Sequence, residues 1–289
     1  MKDNNKMGKR NVWAFFGITV VISWLLWLPF VLAGAGVIAL TDTLAALTTP
    51  AVMLGAFAPL ISAVIMIVRK EGWAGLKQFF RKALSFRIKP IYYVLAVLIP
   101  LLITALAHYT INIAGIDILP SSLFPADFPV PVAVLIIPYF LFIAIAGGGQ
   151  EEFGWRGYAL QPLQQRFGIL RASIIIGIVW GVWHLPLWFM PGEGHAYYSF
   201  FAFLLFTVSM SVIIGWLYNA SGKKMVVAWI FHSISNVSVP LFPIMHMADV
   251  PQPGYWVWVG VNVIGAVLFT VWYTRKAKIA AIAVRPQEV

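Results

Sequence analysis

Cysteine is absent from this sequence, and charged residues are scarce. None of the 289 residues is Cys, which excludes disulfides, thiol nucleophiles and thiolate metal ligands. Charged residues make up 10% of the chain, against about 25% in a soluble globular protein. Hydrophobic residues make up 61%, and the mean hydropathy is +0.86. The composition therefore predicts a polytopic membrane protein, and it excludes a nucleic-acid-binding domain despite the net charge of +10.

Long apolar runs define the predicted fold, which is all-α. A membrane span needs about 20 apolar residues, and eight runs of the sequence meet this requirement. The predicted spans are 12–36, 50–68, 90–113, 131–165, 171–190, 197–219, 225–241 and 255–274. The fourth is treated as one long helix that is tilted or kinked near Gly147–Gly149. Because the chain has no internal repeat and no long linker, residues 1–289 are expected to form a single membrane domain.

The basic residues fall on one side of this layout. Of the 20 Lys and Arg residues, all but Arg156 lie in the termini or in the segments that follow spans two, four and six. The segments on the other side contain no Lys or Arg, and their acidic residues are Asp42, Asp117, Asp127, Glu193 and Asp249. Because Lys and Arg concentrate in cytoplasmic segments, both termini are expected to lie in the cytoplasm.

Residues 69–89 are too charged to cross the membrane. Basic residues alternate there with apolar residues near helical spacing, which are Trp73, Leu76, Phe80, Ala83 and Leu84. This pattern predicts an amphipathic, basic cytoplasmic segment that lies on the inner leaflet and contacts anionic lipid. A plain, positively charged connecting loop is the alternative interpretation.

A small set of polar side chains lies inside three of the spans. They are Glu151, Glu152 and Arg156 in span four, His184 in span five, and His232 and Asn236 in span seven. Charged groups are costly in apolar surroundings, so they need a partner or a function. A helical rise of about 1.5 Å per residue places the six side chains about 12–22 Å above the cytoplasmic boundary. Because these depths overlap, the side chains are expected to meet, provided that span four is one helix.

The spacing of these polar residues along the sequence predicts a different role for each pair or residue. Glu152 and Arg156 are four residues apart, so they share a helix face and are expected to form an ion pair. Glu151 is offset from that face by about 100°, which leaves its carboxylate available as a general base. His232 and Asn236 are also four residues apart, and together they could donate two hydrogen bonds to one developing oxyanion.

The chain resembles the CPBP family, which includes CaaX prenyl endopeptidases of the Rce type and Abi-type proteins linked to bacteriocin self-immunity. The resemblance lies in three ordered motifs, which are Glu151-Glu152-x-x-x-Arg156, Trp180-x-x-x-His184 and His232-x-x-x-Asn236. It covers residues 130–240 approximately, and the eight-span layout extends it to the whole chain. The second motif usually begins with Phe, where this sequence has Trp180.

The resemblance implies a multi-pass intramembrane peptidase of the cell membrane, with an active site that opens towards the cytoplasm. It gives the six residues three roles: activation of a water by Glu151 and His184, stabilisation of the oxyanion by His232 and Asn236, and support of these groups by Glu152 and Arg156. A divalent metal such as zinc is a compatible cofactor, because two His and a Glu are acceptable ligands. No H-E-x-x-H motif is present, and a metal-independent glutamate mechanism is the prediction.

The predicted function is an intramembrane endopeptidase that hydrolyses a peptide bond of a membrane-associated substrate, with a lipidated CaaX-like protein as one candidate. Its expected partners are the lipid bilayer and this peptide or lipidated-protein substrate. A proton-coupled transporter is the first alternative, because intramembrane Glu, Arg and His also mark proton relays. Carriers often contain inverted repeats, which this sequence lacks. The second alternative is a non-catalytic immunity or scaffold membrane protein.

Overall fold

The computed structural model of the protein describes residues 10–118 and 132–283. The predicted basic N-terminal residues before Arg10 and the predicted acidic residue Asp127 lie outside the described residues. The described part contains nine α-helices and no strand. They are α1 (Val12–Gly34), α2 (Asp42–Gly55), α3 (Ala58–Ala83), α4 (Pro90–Ile113), α5 (Val132–Ala146), α6 (Leu160–Trp183), α7 (Phe200–Ala220), α8 (Met225–Leu241) and α9 (Pro253–Ala283).

The helices confirm the all-α, multi-pass membrane fold. Six stretches of the described residues are long and apolar enough to cross a membrane, and the bent pair α2 and α3 supplies a seventh. Helix α8, with 17 residues, is apolar but shorter. Each of the eight predicted spans therefore falls mainly on helical residues.

The prediction of one helix over residues 50–68 was wrong. Helix α2 begins earlier, at Asp42, because the Thr41 side chain accepts a hydrogen bond from the Leu44 N–H at 3.2 Å and caps the helix. The chain then bends by 42° between α2 and α3. Pro59 has no N–H to donate to the Gly55 carbonyl four residues earlier. The Ser23 hydroxyl of α1 donates to that carbonyl instead, at 2.9 Å, which stabilises the break.

Span four is not the single helix that the sequence predicted. Helix α5 ends at Ala146, a 3-10 turn covers Gly149–Glu151, and a π-helical segment covers Phe153–Ala159 before α6 begins. The break lies in the run of three glycines, and Gly148 has a φ of 129°, which L side chains rarely adopt. Glu151 therefore lies on the short turn between two helical segments.

The chain reverses direction at Gly168, where φ is 78° and ψ is 171°. The Trp180 indole N–H donates to Glu151 Oε2 at 2.8 Å, although these residues are 29 positions apart. In a straight helix that separation would span about 44 Å. The segments before and after Gly168 therefore form an antiparallel helical hairpin, and the reversal falls between the predicted fourth and fifth spans.

Basic residues from several segments meet at one end of the bundle. Arg10 pairs with Glu71 at 3.3 Å and also donates to the Gly157 carbonyl at 3.4 Å. Lys224 donates to the Ser85 hydroxyl at 3.1 Å, which joins two further basic segments. This arrangement agrees with the predicted placement of these segments on one side. We refer to this end of the molecule as the basic end.

The segment 69–89 is helical up to Ala83 and breaks at Gly72, where φ is 67°. Its buried face includes Gly75, Phe79 and Ala83, and Phe79 packs near Phe153, with their ring centroids 6.4 Å apart. Part of its apolar face therefore covers the π-helical segment. Contact of the segment with anionic lipid stays a prediction.

Candidate active site

The structure brings all six predicted polar residues into one cluster. Four of them line a single cavity, and the remaining two form an ion pair directly beneath it; the four are Glu151, His184, His232 and Asn236. The 3-10 turn, the end of α6 and the middle of α8 supply these side chains. The expected convergence therefore occurs, although span four is broken. The break keeps Glu151 in the cluster because the following helical hairpin folds back against it.

Glu152 links two of the predicted groups. Its Oε1 atom accepts a hydrogen bond from Arg156 Nη1 at 2.8 Å, and it is 2.9 Å from His232 Nδ1. Both Glu152 and Arg156 are completely buried. The predicted ion pair is therefore present, and Glu152 also fixes the orientation of His232. Because a carboxylate only accepts, Nδ1 of His232 carries the hydrogen, and Nε2 faces the cavity.

Glu151 is surrounded differently from its neighbour. Its Oε2 atom accepts hydrogen bonds from two indole N–H groups, Trp155 at 3.2 Å and Trp180 at 2.8 Å. The residue is 4% exposed and lines the cavity. Both bonds use the same oxygen, so Oε1 remains available to a water molecule. This arrangement holds the carboxylate in place and leaves one oxygen for proton transfer.

The hydrogen bond of His184 defines its tautomer. Its Nδ1 atom lies 2.8 Å from the Trp180 carbonyl oxygen. A carbonyl oxygen only accepts, so Nδ1 carries the hydrogen and Nε2 of the neutral ring has a free lone pair. The ring also packs edge-on against Trp183, with centroids 4.5 Å apart. His184 is therefore held with a basic nitrogen available to the cavity.

His232 and Asn236 converge on one point beside Gly148. A Cβ atom placed on Gly148 would lie 2.9 Å from His232 Nε2 and 2.6 Å from Asn236 Nδ2. Both separations are too short for a carbon atom, so only a glycine lets the backbone lie this close to the two side chains. One Nδ2 hydrogen of Asn236 already donates to the Gly147 carbonyl at 2.8 Å, and the second hydrogen remains free. The two nitrogens are neighbours in the lining of the cavity, so both could donate to one substrate oxygen placed there, as an oxyanion hole requires.

Several residues of the site were missed by the sequence analysis. Gln150 accepts a hydrogen bond from the Gly148 N–H at 2.9 Å and donates to the Ala56 carbonyl at 3.3 Å, which holds the glycine turn against the break between α2 and α3. The indole donors Trp155 and Trp180 were missed as hydrogen-bonding groups. The sequence marked only Trp180, through its position in the second motif. Its hydrogen bond to Glu151 could not be predicted, because the two residues meet only through the helical hairpin.

The cavity has a volume of about 320 Å³ and is largely aromatic. Its polar floor is formed by the predicted residues, and its walls include Trp27, Phe203, Phe206, Tyr255 and Trp258. Pockets of a few hundred cubic ångströms bind small apolar groups. The shape and chemistry therefore suit an apolar chain lying beside a polar reacting group.

His195 is a third histidine of the cavity, and the sequence analysis did not select it. It stacks on His184 with ring centroids 5.8 Å apart, and its Nδ1 atom lies 2.8 Å from Glu193 Oε1. Its signal in the sequence is weak because it lies outside the predicted spans. It comes from the loop between α6 and α7, and so extends the polar surface upwards from the floor.

Within the described residues, no group of three or more His, Cys, Asp or Glu side chains is arranged to hold a metal ion. We therefore derive no chemical step through a metal.

Trp180 lies at the centre of the site. In addition to its bonds with Glu151 and His184, its ring packs against His232 with centroids 5.0 Å apart. Its indole also lies 5.6 Å from the Arg156 guanidinium carbon. The family's usual Phe would preserve the packing of this ring, but it could not donate a hydrogen bond to Glu151.

We expect Trp180→Phe to lower kcat about tenfold or more with little change in KM, because a hydrogen bond to a charged group contributes about 1.5–3 kcal/mol. Peptide-cleavage kinetics of the purified variant check this. Trp216→Phe is the matched control, because it removes a 3.0 Å bond to Thr270 outside the cavity. Wild-type kcat in Trp180→Phe would show that the indole N–H is dispensable.

The central segment of the chain is similar to a known protein family. Residues 132–238 match the model of the family described as type II CAAX prenyl endopeptidase Rce1-like. CAAX prenyl protease 2 of Methanococcus maripaludis is 28% identical over 259 residues, which are 85% of this chain and 90% of that protein. The similarity to this relative thus extends over most of both chains.

Lysostaphin resistance protein A is a second kind of relative. The protein of Staphylococcus haemolyticus is 31% identical over 192 residues, which are 64% of this chain and 48% of that protein. The protein of Staphylococcus aureus strain Newman is 30% identical over 61% of this chain and 39% of its own length. This chain thus covers less than half of these two relatives. Residues 132–238, which contain the three motifs, match the Rce1-like model, and the family resemblance carried by these motifs is confirmed.

Proposed function

We propose that this protein is an intramembrane endopeptidase that cleaves a membrane-associated peptide with a water activated by Glu151 and His184. The observation that carries the proposal is a single cavity in whose lining His232 and Asn236 are neighbours beside Gly148. Glu151 and His184 line the same cavity. The Rce1-like match and the prenyl protease relative support the same reaction class.

The first step is attack of water on the scissile carbonyl. The water donates one hydrogen bond to His184 Nε2 and transfers its other proton to the Glu151 carboxylate. The remaining hydroxide forms a bond to the carbonyl carbon, and the carbonyl oxygen becomes an oxyanion. His232 and Asn236 donate hydrogen bonds to that oxyanion. For this donation His232 carries hydrogens on both ring nitrogens. The charges of His232 and Arg156 are balanced by the two carboxylates before the proton transfer, and by Glu152 and the oxyanion after it.

In the second step the C–N bond breaks. The oxyanion re-forms the carbonyl of a carboxylic acid, and Glu151 returns its proton to the departing amide nitrogen, which leaves as an amine. The net reaction adds one water and regenerates the carboxylate. Glu152 and Arg156 touch no reacting atom, and they act by holding His232 in position. These roles are the ones that the motifs imply, with the proton transfers and the positioning of His232 now specified.

The cavity favours a substrate with an apolar chain near the scissile bond. Its walls are mainly Trp, Phe and Tyr side chains, and its polar groups are concentrated at the floor. A prenylated peptide is the first candidate, because one relative is named as a CAAX prenyl protease. A peptide with large apolar side chains would use the same walls.

A panel of matched peptides with and without a C-terminal prenyl group tests the proposed function. The purified protein in detergent should cleave the prenylated member faster, and 1,10-phenanthroline should not change the rate. A Glu151→Gln/His184→Ala double variant serves as the inactive control. Substrate-dependent proton flux in liposomes without any peptide cleavage would instead indicate a transporter, and loss of activity with the chelator would overturn the metal-independent mechanism.

A further inference from the structure

The cavity contains one histidine that the proposed mechanism does not use. His195 lines the cavity, and its ring stacks on that of His184 with centroids 5.8 Å apart and an interplanar angle of 26°. Its other neighbours in the lining are the rings of Tyr198 and Phe203, each with its centroid 5.5 Å away. A hydrogen-bonding group therefore lies among aromatic walls, directly beside the histidine that is proposed to bind the water.

The loop that carries His195 is held in one conformation. It contains two 3-10 turns, Leu185–Phe189 and Gly194–Tyr197. The Trp188 indole N–H donates to the Tyr198 carbonyl at 2.7 Å, which ties the first turn to the residue that follows the second. The Trp188 ring also packs edge-on against His195, with centroids 5.0 Å apart. The His195 ring is thus in position before a substrate binds, so little ordering entropy is lost when the ring is used.

The two ring nitrogens of His195 have different surroundings. Nδ1 lies 2.8 Å from Glu193 Oε1, and because a carboxylate only accepts, Nδ1 carries the hydrogen. Nε2 of the neutral ring therefore has a lone pair. No residue that the structure describes donates to Nε2, and the nearby Trp188 N–H is already used on Tyr198. Since His195 lines the cavity and Glu193 does not, Nε2 is the nitrogen on the cavity side of the ring.

A purely structural role would explain only one of these two nitrogens. The bond between His195 and Glu193 can stabilise the loop, although their side chains are only 20% and 18% exposed. It leaves the Nε2 lone pair without a donor in a cavity whose walls are mainly aromatic. A polar atom in such surroundings is costly unless it has a hydrogen-bond partner. The missing partner is therefore a donor that enters the cavity.

The separation of the two histidines indicates which donor this is. An extended peptide advances about 3.3–3.6 Å per residue. The 5.8 Å between the rings of His184 and His195 therefore corresponds to one or two residues of a peptide whose scissile carbonyl lies at the floor. Every peptide unit except that of Pro carries an N–H donor. A substrate N–H within two residues of the scissile bond can thus reach His195 while His184 holds the water.

We propose that His195 Nε2 accepts a hydrogen bond from a substrate backbone N–H within two residues of the scissile bond, so that His195 and Glu193 form a substrate-binding subsite of the cavity. This inference rests on the proposed function. Glu193 touches no substrate atom and acts by holding the ring. Because the subsite binds the backbone, it positions the peptide without selecting a side chain. It disfavours Pro at the bound position, because Pro has no N–H.

Single N-methylation of the substrate tests this contact. Wild-type protein and His195→Phe are compared on a prenylated parent peptide and on derivatives methylated at each peptide nitrogen within two residues of the scissile bond. His195→Phe removes Nε2 and keeps a ring that can pack on His184. It should lower kcat/KM for the parent peptide about three- to tenfold, the usual loss for one hydrogen bond. One methylated derivative should show the same loss with wild-type protein and no further loss with His195→Phe.

Three further variants separate the contact from a general effect on the loop. His246→Phe is the matched control, because His246 lies outside the cavity and its Nε2 is 2.8 Å from the Asp117 carbonyl oxygen. It should respond to every derivative as wild-type protein does. Glu193→Leu releases the His195 ring and should weaken the discrimination against the same derivative. His195→Gln offers an amide oxygen as acceptor and should recover part of that discrimination.

The outcomes distinguish this inference from the proposed function. The inference is wrong if wild-type protein cleaves every methylated derivative as fast as the parent, or if His195→Phe responds to all of them as wild-type protein does. It is also wrong if the effect of His195 follows the free carboxylate of the peptide, because the ring would then bind as a cation. These results leave the peptidase assignment intact. Cleavage by Glu151→Gln at the wild-type rate would instead contradict the proposed function.

Discussion

Glu151→Gln should abolish peptide cleavage while leaving the fold intact. The amide keeps an oxygen that accepts the bonds from Trp155 and Trp180, so the surrounding packing is retained. It cannot take a proton from water, and loss of a general base lowers the rate by about 10²–10⁴. The measurements are kcat with a cleaved peptide and the thermal unfolding temperature in detergent.

The neighbouring carboxylate provides the matched comparison. Glu152→Gln removes the charge that balances Arg156 and orients His232, and all three groups are buried. Removing one partner of a buried ion pair costs about 3–5 kcal/mol, so this variant should lose stability strongly. Glu151→Gln should therefore lose activity and keep its stability, whereas Glu152→Gln should lose stability. Wild-type activity in Glu151→Gln would exclude it as the base.

Gly148→Ala is the second substitution with a large expected effect. The new methyl group would lie 2.9 Å from His232 Nε2 and 2.6 Å from Asn236 Nδ2, so it would displace the two groups that are proposed to bind the oxyanion. Loss of oxyanion-hole contacts lowers kcat by about 10²–10³. Steady-state kinetics with the prenylated peptide measure kcat.

The control must separate this steric effect from backbone strain. Gly148 has a φ of 129°, so any side chain there costs about 1–3 kcal/mol in stability as well. Gly36 has a φ of 72° and no atom within 4 Å of an added Cβ. Gly36→Ala should therefore lose stability without losing kcat. If folded Gly148→Ala retained wild-type kcat, the oxyanion assignment would be wrong.

The residues of the site were largely predictable, because interacting side chains on one helix are separated by four residues in the sequence. Glu152 and Arg156 pair across four residues, and this separation keeps them adjacent even on a π-helical segment. His232 and Asn236 share one face of α8 for the same reason. The eight apolar runs likewise indicated the helices, since apolar length is sufficient to identify a span.

The path of the chain between the motifs was not predictable from apolar length. The kink expected near Gly147–Gly149 is a complete break in the helix, and the reversal at Gly168 was not expected, because glycine permits several backbone conformations and does not select one. The bonds from Trp180 to Glu151 and from Gln150 to Ala56 join residues 29 and 94 positions apart. Such partners are set by the tertiary fold. Trp180 therefore looked like a packing residue, although it is a hydrogen-bond donor.

The hairpin at Gly168 also determines the order in which the site is assembled during synthesis. Contacts between consecutive helices form early, and a chain is made from its N-terminus. Glu151 and Trp180 can therefore meet while α8 is still being translated. His232 and Asn236 arrive later, with α8, and complete the oxyanion hole. The nascent chain thus has its general base in position before it can stabilise a transition state, and it gains peptidase activity only when α8 is inserted.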